Sequence, residues 1–259
     1  MSAVNQFSTG PAPLIRIAQI DGDLIVQAWP QPAVQTTCSE DDALSCEQAG
    51  DAMVLRSHDD LLLRVPADAT LHLEAVHGDA RVTGLAGALH VVQVDGDVQV
   101  RGAGDTRIGQ VHGDLVIRQV DGELTVDAVH GDADIAGVTG HALISGVTDD
   151  LALSAIGGSI EATTGDDLSL RLLPRPEQRY VLQAGGDIVC RLPAESDVAV
   201  SLRAGDAIRV RKLPAPVQEA TGELDFVLGD GQAQLTLTAG DSIVVTNLIA
   251  DWDDAAAFG

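Results

Sequence analysis

Residues 115–147 read LVIRQVDGELTVDAVHGDADIAGVTGHALISGV and repeat one pattern every nine residues. Each repeat holds three aliphatic residues, spaced by two and then by three positions, and a turn that contains glycine. The spacing of two puts side chains on one face of a strand, and the spacing of three predicts a kink before the turn. The triplets are Leu115, Ile117 and Val120; Leu124, Val126 and Val129; Ala133, Ile135 and Val138; and Ala142, Ile144 and Val147.

A nine-residue arm cannot bury its apolar face alone, whereas stacked arms can. The pattern therefore predicts an all-β protein, a parallel β-solenoid (β-helix) with two arms in each coil of about 18 residues. Its coils would stack ~4.8 Å apart. An antiparallel sandwich of short hairpins fits less well, because the arms barely vary in length. The most regular arms cover residues 76–172.

The composition restricts the function. The chain has 259 residues, 15 of them basic and 39 acidic, and a net charge of −24. Such a charge predicts a soluble, self-repelling protein that does not bind nucleic acid or anionic membranes electrostatically. Aromatic residues make up only 2%, which argues against sugar-stacking clefts and base-stacking platforms. Three cysteines are too few for a disulfide framework or a zinc site.

The N-terminal residues do not resemble a signal peptide, and no apolar stretch reaches the ~18 residues needed to cross a membrane. The sequence therefore predicts a cytoplasmic protein without membrane insertion. Residues 1–13 predict an N-terminal arm, residues 14–248 the solenoid domain, and residues 249–259 an acidic tail that contains aromatic residues. The tail is expected either to cap the last coil or to dock on another subunit or protein. Its candidate assembly residues are Leu248, Trp252 and Phe258.

Residues one coil apart become neighbours in a solenoid, so the turns predict columns of side chains along two edges. One edge carries a column of aspartates, and a column that mixes histidine and aspartate lies two positions earlier. The opposite edge shares the glycines but not the acidic column. The candidate interaction edge consists of Asp79, Asp97, Asp114, Asp132, Asp150, His77, His112 and His130.

Two interpretations of this edge remain open. Its carboxylates bind a divalent cation, a basic partner surface or protonated histidines, or each one accepts a hydrogen bond from its own turn. Two charges ~5 Å apart in water repel by only ~0.8 kcal/mol, and a turn hydrogen bond contributes ~0.5–1.5 kcal/mol. The column therefore requires no ligand. The turn glycines are expected to have positive φ, and a zinc site is not expected because the histidines belong to different coils.

The sequence resembles the bacterial putative-adhesin β-solenoid family over residues 14–248. The resemblance is carried by an opening strand pair at residues 15–29, by LLLRVP at 61–66, by ATLHLEAVHGDARVTGL at 69–85, and by CRLPAESDVAVSLRAGD at 190–206. A looser similarity connects the chain to bactofilins, cytoskeletal β-solenoids that polymerise end to end. These resemblances imply a right-handed parallel solenoid without an enzymatic site or cofactor.

No GxSxG, P-loop or HExxH motif is present. The sequence predicts a non-enzymatic scaffold that self-associates through solenoid ends and tails, as a homo-oligomer or filament. The first alternative is a binding module that presents the Asp/His edge to a protein partner or a divalent cation. The others are a polysaccharide-active β-helix enzyme, with metal on the aspartate column and Arg101 or Arg118 nearby, and an acidic mimic of nucleic acid.

Overall fold

The computed structural model describes residues 3–38, 43–49 and 52–248, and these ranges form β-strands and connecting turns without an α-helix. The chain divides into two compact units, residues 1–133 and 134–259. The strands of the first unit are β1 (Ala3–Ser8), β2 (Leu14–Ile20), β3 (Leu24–Trp29), β4 (Ala33–Cys38), β5 (Leu44–Ala49), β6 (Ala52–Ser57), β7 (Leu61–Pro66), β8 (Thr70–Val76), β9 (Ala80–Thr83), β10 (Leu89–Val94), β11 (Val98–Ala103), β12 (Thr106–Val111), β13 (Leu115–Val120) and β14 (Leu124–Val129).

In the first unit, alternate strands form two parallel sheets. Sheet 1 has the order β6-β2-β8-β10-β12-β14, and sheet 2 has the order β7-β3-β9-β11-β13. Along the regular part, paired residues are 17 or 18 positions apart, as for Leu89 beside Thr106 and Ala80 beside Val98. The predicted parallel β-solenoid and its coil length are thus confirmed.

Spatial order differs from chain order where the first unit begins. The first coil, β2 and β3, lies between the coil of β6 and β7 and the coil of β8 and β9. Antiparallel strands cover the outer coil, since β5 pairs with β6, β4 pairs with β7, and β1 pairs with β4. Strand β1 lies within the segment predicted to be an arm.

The second unit repeats this arrangement. Sheet 3 has the order β16-β18-β20-β24-β22, and sheet 4 contains β17-β19-β21-β25-β22. The long strand β22 contributes to both sheets, and β23 covers its outer side as an antiparallel strand. Its strands are β15 (Ala133–Val138, from the last residue of the first unit), β16 (Ala142–Val147), β17 (Leu151–Ile156), β18 (Ile160–Thr164), β19 (Leu168–Arg171), β20 (Arg179–Ala184), β21 (Ile188–Leu192), β22 (Val198–Arg211), β23 (Glu219–Leu228), β24 (Ala233–Ala239) and β25 (Ile243–Asn247).

The aliphatic triplets form the core. Leu115, Ile117 and Val120 are each 0% exposed, and the other triplets of the repeat are at most 3% exposed. Each buried Val, Leu or Ile side chain stabilises the fold by ~1.5–3 kcal/mol relative to an exposed one. The core therefore depends on many small aliphatic contributions in place of a few large aromatic ones.

The predicted kink before each turn is confirmed and takes two forms. In sheet 2, the residue before the third aliphatic position has positive φ, as in Gly84 (75°), Gly102 (82°) and Gln119 (66°). The register skips one residue in both sheets, between Val91 and Gln93 in sheet 1 and between Arg101 and Ala103 in sheet 2. The residue skipped in sheet 1, Val92, does not have positive φ. The two arms of a coil thus differ in their backbone, which explains why the coil, and not the nine-residue arm, is the repeating unit.

Candidate functional site: the Asp/His edge

The aspartate column lies on one edge of the first unit, where each carboxylate connects two coils. Oδ1 of Asp23, Asp79, Asp97 and Asp114 accepts a hydrogen bond of 2.8–2.9 Å from the backbone N–H of the aspartate in the next coil. Asp60 does the same for Asp23. In spatial order, the aspartate column of the first unit is Asp60, Asp23, Asp79, Asp97, Asp114 and Asp132.

The second unit has a column of the same kind. The backbone N–H of Asp167 donates to Asp150 at 3.2 Å, that of Asp187 donates to Asp167 at 2.7 Å, and that of Ser242 donates to Asp187 at 2.8 Å. The interpretation that each aspartate bonds its own turn is therefore wrong for both columns, because the acceptor serves the neighbouring coil. The aspartates stabilise coil stacking through charge-assisted hydrogen bonds.

The glycine before each aspartate makes room for this bond. A Cβ on Gly78, Gly96, Gly113 or Gly131 would lie well inside van der Waals contact with the carboxylate oxygen of the preceding coil. None of these turn glycines has positive φ, so the expectation from turn geometry was wrong. Glycine is required here because the carboxylate and the neighbouring backbone occupy the space that a side chain would take.

Histidines and aspartates form a second column beside the first. In spatial order it reads His58, Asp21, His77, Asp95, His112 and His130. His58 Nδ1 lies 2.7 Å from Asp21 Oδ2, and His77 Nδ1 lies 2.7 Å from Asp95 Oδ2. His77 Nε2 is also 4.0 Å from Asp21 Oδ1, and His112 Nδ1 is 3.2 Å from Asp95 Oδ1. The rings of His112 and His130 stack with centroids 5.0 Å apart.

Hydrogen bonds keep the two carboxylates of this column ionised. The bond to His58, followed by one from Gln19, lowers the pKa of Asp21 below its usual value. The bond from Gln93, followed by one to His77, lowers the pKa of Asp95 in the same way. Each acid of the column therefore lies between two imidazoles, His58 and His77 for Asp21 and His77 and His112 for Asp95.

Stepping along the sequence by one coil length predicted that His77, His112, His130 and the regular aspartates belong to this edge. It missed Asp21, Asp23, His58 and Asp60. The triplet Asp21-Gly22-Asp23 has the same form as the other turns, which was the available signal. Its place could not be read from the sequence, because the first coil is inserted between two later ones. Asp150 belongs to the second unit, where it takes part in that unit's aspartate column.

In the described part of the chain, no three His, Cys, Asp or Glu residues are arranged to hold a metal ion. A groove of about 290 Å³ nevertheless runs beside the aspartate column of the first unit. Its polar lining includes Asp23, Asp79, Asp97 and Asp114, with Arg81 at one side. The divalent-cation site stays a prediction.

The opposite edge uses the same type of bond with different residues. Asp105 Oδ1 accepts from the backbone N–H of Glu123 at 2.9 Å in the first unit. In the second unit, His141 Nδ1 accepts from the backbone N–H of Ser159, also at 2.9 Å, and the Ser159 hydroxyl donates to Gln178 at 2.8 Å. These Ser, His and Asp residues are therefore engaged in coil stacking.

The potentially reactive groups of the core are shielded. Cys190 is fully buried, and burial raises its pKa to about 12, so the thiol stays protonated and unreactive. Tyr180 is buried, and its hydroxyl oxygen accepts from the backbone N–H of Arg175 at 3.0 Å.

Of the predicted assembly tail, Leu248 is half-buried, whereas Trp252 and Phe258 lie outside the described residues. The part of the chain that the structure describes contains no helix that could span a membrane.

The solved structures that are similar to this chain include the following two. One is described as a putative cell adhesion protein from Clostridium sporogenes ATCC 15579, with 9% identity, a TM-score of 0.27, and coverage of 95% of this chain and 98% of the other. The second is described as a putative adhesin from Bacteroides fragilis NCTC 9343, with 9% identity, a TM-score of 0.38, and coverage of 95% and 97%. No family model and no curated protein matches the chain.

These names agree with the resemblance to adhesin β-solenoids, and similarity to bactofilins is not shown. Neither of the two names is that of an enzyme. The prediction of a cytoplasmic location is contradicted by these names, which are those of a cell adhesion protein and an adhesin. The comparisons thus place the chain beside two adhesin-named structures of low identity.

Proposed function

We propose that this protein is a non-enzymatic scaffold that acts by associating with copies of itself. The observation that supports this function is the open outer edge of the antiparallel strands. Within the described ranges, β23 pairs only with β22, β5 only with β6, and β1 only with β4. An edge with unpaired N–H and C=O groups is a template for a strand from another molecule.

Strand β23 is the strongest candidate for such an edge. It is ten residues long, and Val227 on it is 56% exposed. Beside Val227, a groove of about 410 Å³ is lined by Ala199 and Gln234 among others. Glu223 and Asp225 on the same strand oppose uncontrolled pairing, and the net charge of −24 opposes any approach of two copies. Because salt screens this repulsion, we expect edge association to strengthen with ionic strength.

The hydrogen bonds that the polar residues make between coils support a non-enzymatic role. Ser159, His141 and the edge aspartates bond neighbouring coils, and the Cys190 thiol is buried. A catalytic nucleophile or base has to be free to meet a substrate. The groups that usually supply such chemistry are here engaged in holding the coils together.

The test is the mass in solution, measured by sedimentation velocity in 500 mM salt over a range of protein concentration. We expect the wild type to form dimers or larger species and Val227→Glu to stay monomeric. Val92→Glu is the matched control, because Val92 is 42% exposed on β10, inside sheet 1, and away from an open edge. A monomeric wild type at every concentration and salt would overturn the proposed function.

Removal of residues 249–259 tests the tail-mediated form of association separately. If the tail contributes, the truncated protein loses mass at a concentration where the full chain is associated. If truncation leaves the mass distribution unchanged while Val227→Glu lowers it, the edge carries the association and the tail does not.

The groove beside the aspartate column favours a second candidate function, the binding of a cation or a basic peptide. Asp97→Asn, Asp114→Asn and Asp132→Asn together remove three charges yet keep an oxygen that can accept the bond from the next coil. Calorimetric titration with calcium should show heat for the wild type and none for the triple variant. Equal heats for both proteins, or none for the wild type, would exclude a calcium site on this edge.

A further inference from the structure

The basic residues of the second unit are concentrated on one sheet face. In strands β17, β19, β21 and β25 and in residues 208–211 of β22, no residue is acidic, although the whole chain carries 39 acidic residues. The outward positions of the same strands hold four arginines. We call this surface the arginine face, and its members are Arg171, Arg191, Arg209 and Arg211.

These arginines are in register with each other. Arg171 pairs with Arg191 across β19 and β21, Arg191 pairs with Thr246 on β25, and Thr246 pairs with Arg211 on β22. One row of the sheet thus carries positive charges at the first, second and fourth of four consecutive strands. Like charges directly opposite each other, such as Arg171 and Arg191, destabilise a sheet.

Three of these arginines have no ion-pair partner among the described residues. Arg171, Arg209 and Arg211 make no side-chain hydrogen bond or ion pair with any described residue, although Glu219 on β23 lies opposite Arg209 in the strand register. Some arginines on other surfaces do make ion pairs: Arg16 pairs with Glu74, Arg107 with Asp127, and Arg203 with Glu223. The edge aspartates do not neutralise the row either. Arg171 lies four residues beyond Asp167, ~13 Å along an extended strand, which exceeds the Debye length of ~8 Å at physiological salt.

A surface of this kind fits an anion with regularly spaced charges. Guanidinium groups bind carboxylates in a bidentate manner. The strands concerned contain no aromatic residue, so they offer no platform on which bases stack. The spacing of the row is that of strands in a sheet, ~4.8 Å. The ligand should therefore carry carboxylates at multiples of this distance.

The aspartate column of the first unit has this spacing. Its carboxylates also advance by one strand per charge, because every member bonds the backbone of the next coil. Asp79, Asp97 and Asp114 are exposed, and each uses Oδ1 in that bond. The aspartate column has a negative charge at every strand. It can therefore place a carboxylate opposite each arginine of the row, at its first, second and fourth strands.

We infer that the arginine face of one copy binds the aspartate column of a second copy. This inference rests on the proposed self-association and adds a lateral contact to the edge contact of β23. The two joined surfaces are different, so the contact is heterologous and propagates unless the geometry closes it. It is held by opposite local charges, whose attraction has to exceed the repulsion between two copies of net charge −24, so salt weakens it. Salt strengthens the edge contact, where only that repulsion is screened.

The test is made in a Val227→Glu background, which blocks the edge. Sedimentation velocity in 50 mM salt should show association that weakens at least tenfold in 500 mM salt. Adding Arg171→Ser, Arg209→Ser and Arg211→Ser should weaken the association in 50 mM salt at least tenfold. The control is Arg16→Ser, Arg107→Ser and Arg203→Ser, which removes the same charge from ion-paired positions and should change the affinity less than threefold.

The outcomes separate this inference from the proposed function. If neither the wild type nor Val227→Glu associates at any salt, both fail. If the wild type associates in 500 mM salt but Val227→Glu is monomeric at 50 mM, only the lateral contact is wrong. Equal weakening by the two triple variants would attribute the effect to net charge and overturn the inference. So would unchanged self-association together with loss of binding to heparin, used as a polysaccharide probe, because the arginine face would then serve an external polyanion. Thermal unfolding monitored by circular dichroism confirms that each variant is folded.

Discussion

The two units carry the same edge with different chemistry. In the first unit, imidazoles alternate with carboxylates, and hydrogen bonds lower the pKa of Asp21 and Asp95. In the second unit, the corresponding positions hold Thr148, Gly165 and Gly185 and no histidine, and the neighbouring Asp167 carboxylate is the main cause of a raised pKa for Asp166. The same turn geometry thus accommodates carboxylates in two ways. In the first unit they alternate with imidazoles that hydrogen-bond them, and in the second unit they lie beside other carboxylates that repel them.

The largest effect is expected where the edge is most tightly packed. Gly113→Ala places a methyl group against the Asp97 carboxylate and the Gly96 backbone, and such overpacking costs ~1–3 kcal/mol. Urea unfolding monitored by circular dichroism measures the loss. In the double variant with Asp97→Ala, part of the loss should be recovered because the carboxylate is gone. Additive effects of the two substitutions would show that the carboxylate is not what requires glycine.

The hydrogen bond itself is tested by a smaller change. Asp97→Ala removes the acceptor for the backbone N–H of Asp114, and we expect a loss of ~0.5–1.5 kcal/mol in the free energy of unfolding. Asp97→Asn keeps an acceptor oxygen and should lose less. If the Asn variant loses as much as the Ala variant, the charge and not the acceptor is responsible.

The free energy of unfolding should depend on pH in opposite directions for Asp95 in the first unit and Asp166 in the second. The lowered pKa of Asp95 means that this group stabilises the fold above its unfolded pKa, about 3.8, and that the contribution is lost as the pH falls through the lower folded pKa. The raised pKa of Asp166 has the opposite effect, because its contribution is present at low pH and is lost as the pH rises through the folded pKa.

Urea unfolding between pH 2 and pH 6 measures both contributions. Asp95→Asn should flatten the acid side of the stability curve, whereas Asp166→Asn should not. Identical curves for Asp95→Asn and the wild type would argue against the bonds from Gln93 and His77 as the cause of the lowered pKa.

The smallest effect concerns the repulsive turn. Asp166 is exposed and close to Asp167, Asp150 and Asp149. Asp166→Asn removes one member of this group, so we expect a slight gain in stability at pH 7 that shrinks in high salt. Asp121→Asn, on an exposed turn of the first unit, is the control. A loss of stability in Asp166→Asn would mean that its carboxylate makes a favourable contact.

The regular arms could be predicted from the sequence because their period is strict. Leu115, Ile117 and Val120 repeat with fixed spacing, and strand geometry turns that spacing into a buried face. The neighbours of Asp97 followed from the coil length alone. Side-chain partners such as His77 and Asp95 were also accessible, since they are one coil apart.

The features of the edge that depend on the spatial order of the coils could not be predicted from the sequence. Asp21 and His58 join the column because the first coil is inserted between two later ones, and no local pattern records that insertion. The hydrogen bond of each carboxylate to the next coil, in place of its own turn, depends on the direction of Oδ1. The arginine face forms because the register of the sheet brings its residues side by side. These arginines are far apart in the sequence, and the net charge of −24 gives no sign of a basic surface.

The inserted first coil has a consequence for synthesis on the ribosome. Strands β2 and β3 are complete at Trp29, but their partners on both sides are complete only at Thr83, 54 residues later. At 5–20 residues per second, the newborn coil waits ~3–11 s before the strands of both flanks have been made. The early part of this chain is thus the natural client for a chaperone, and slowing translation between residues 30 and 83 should increase aggregation of the nascent protein.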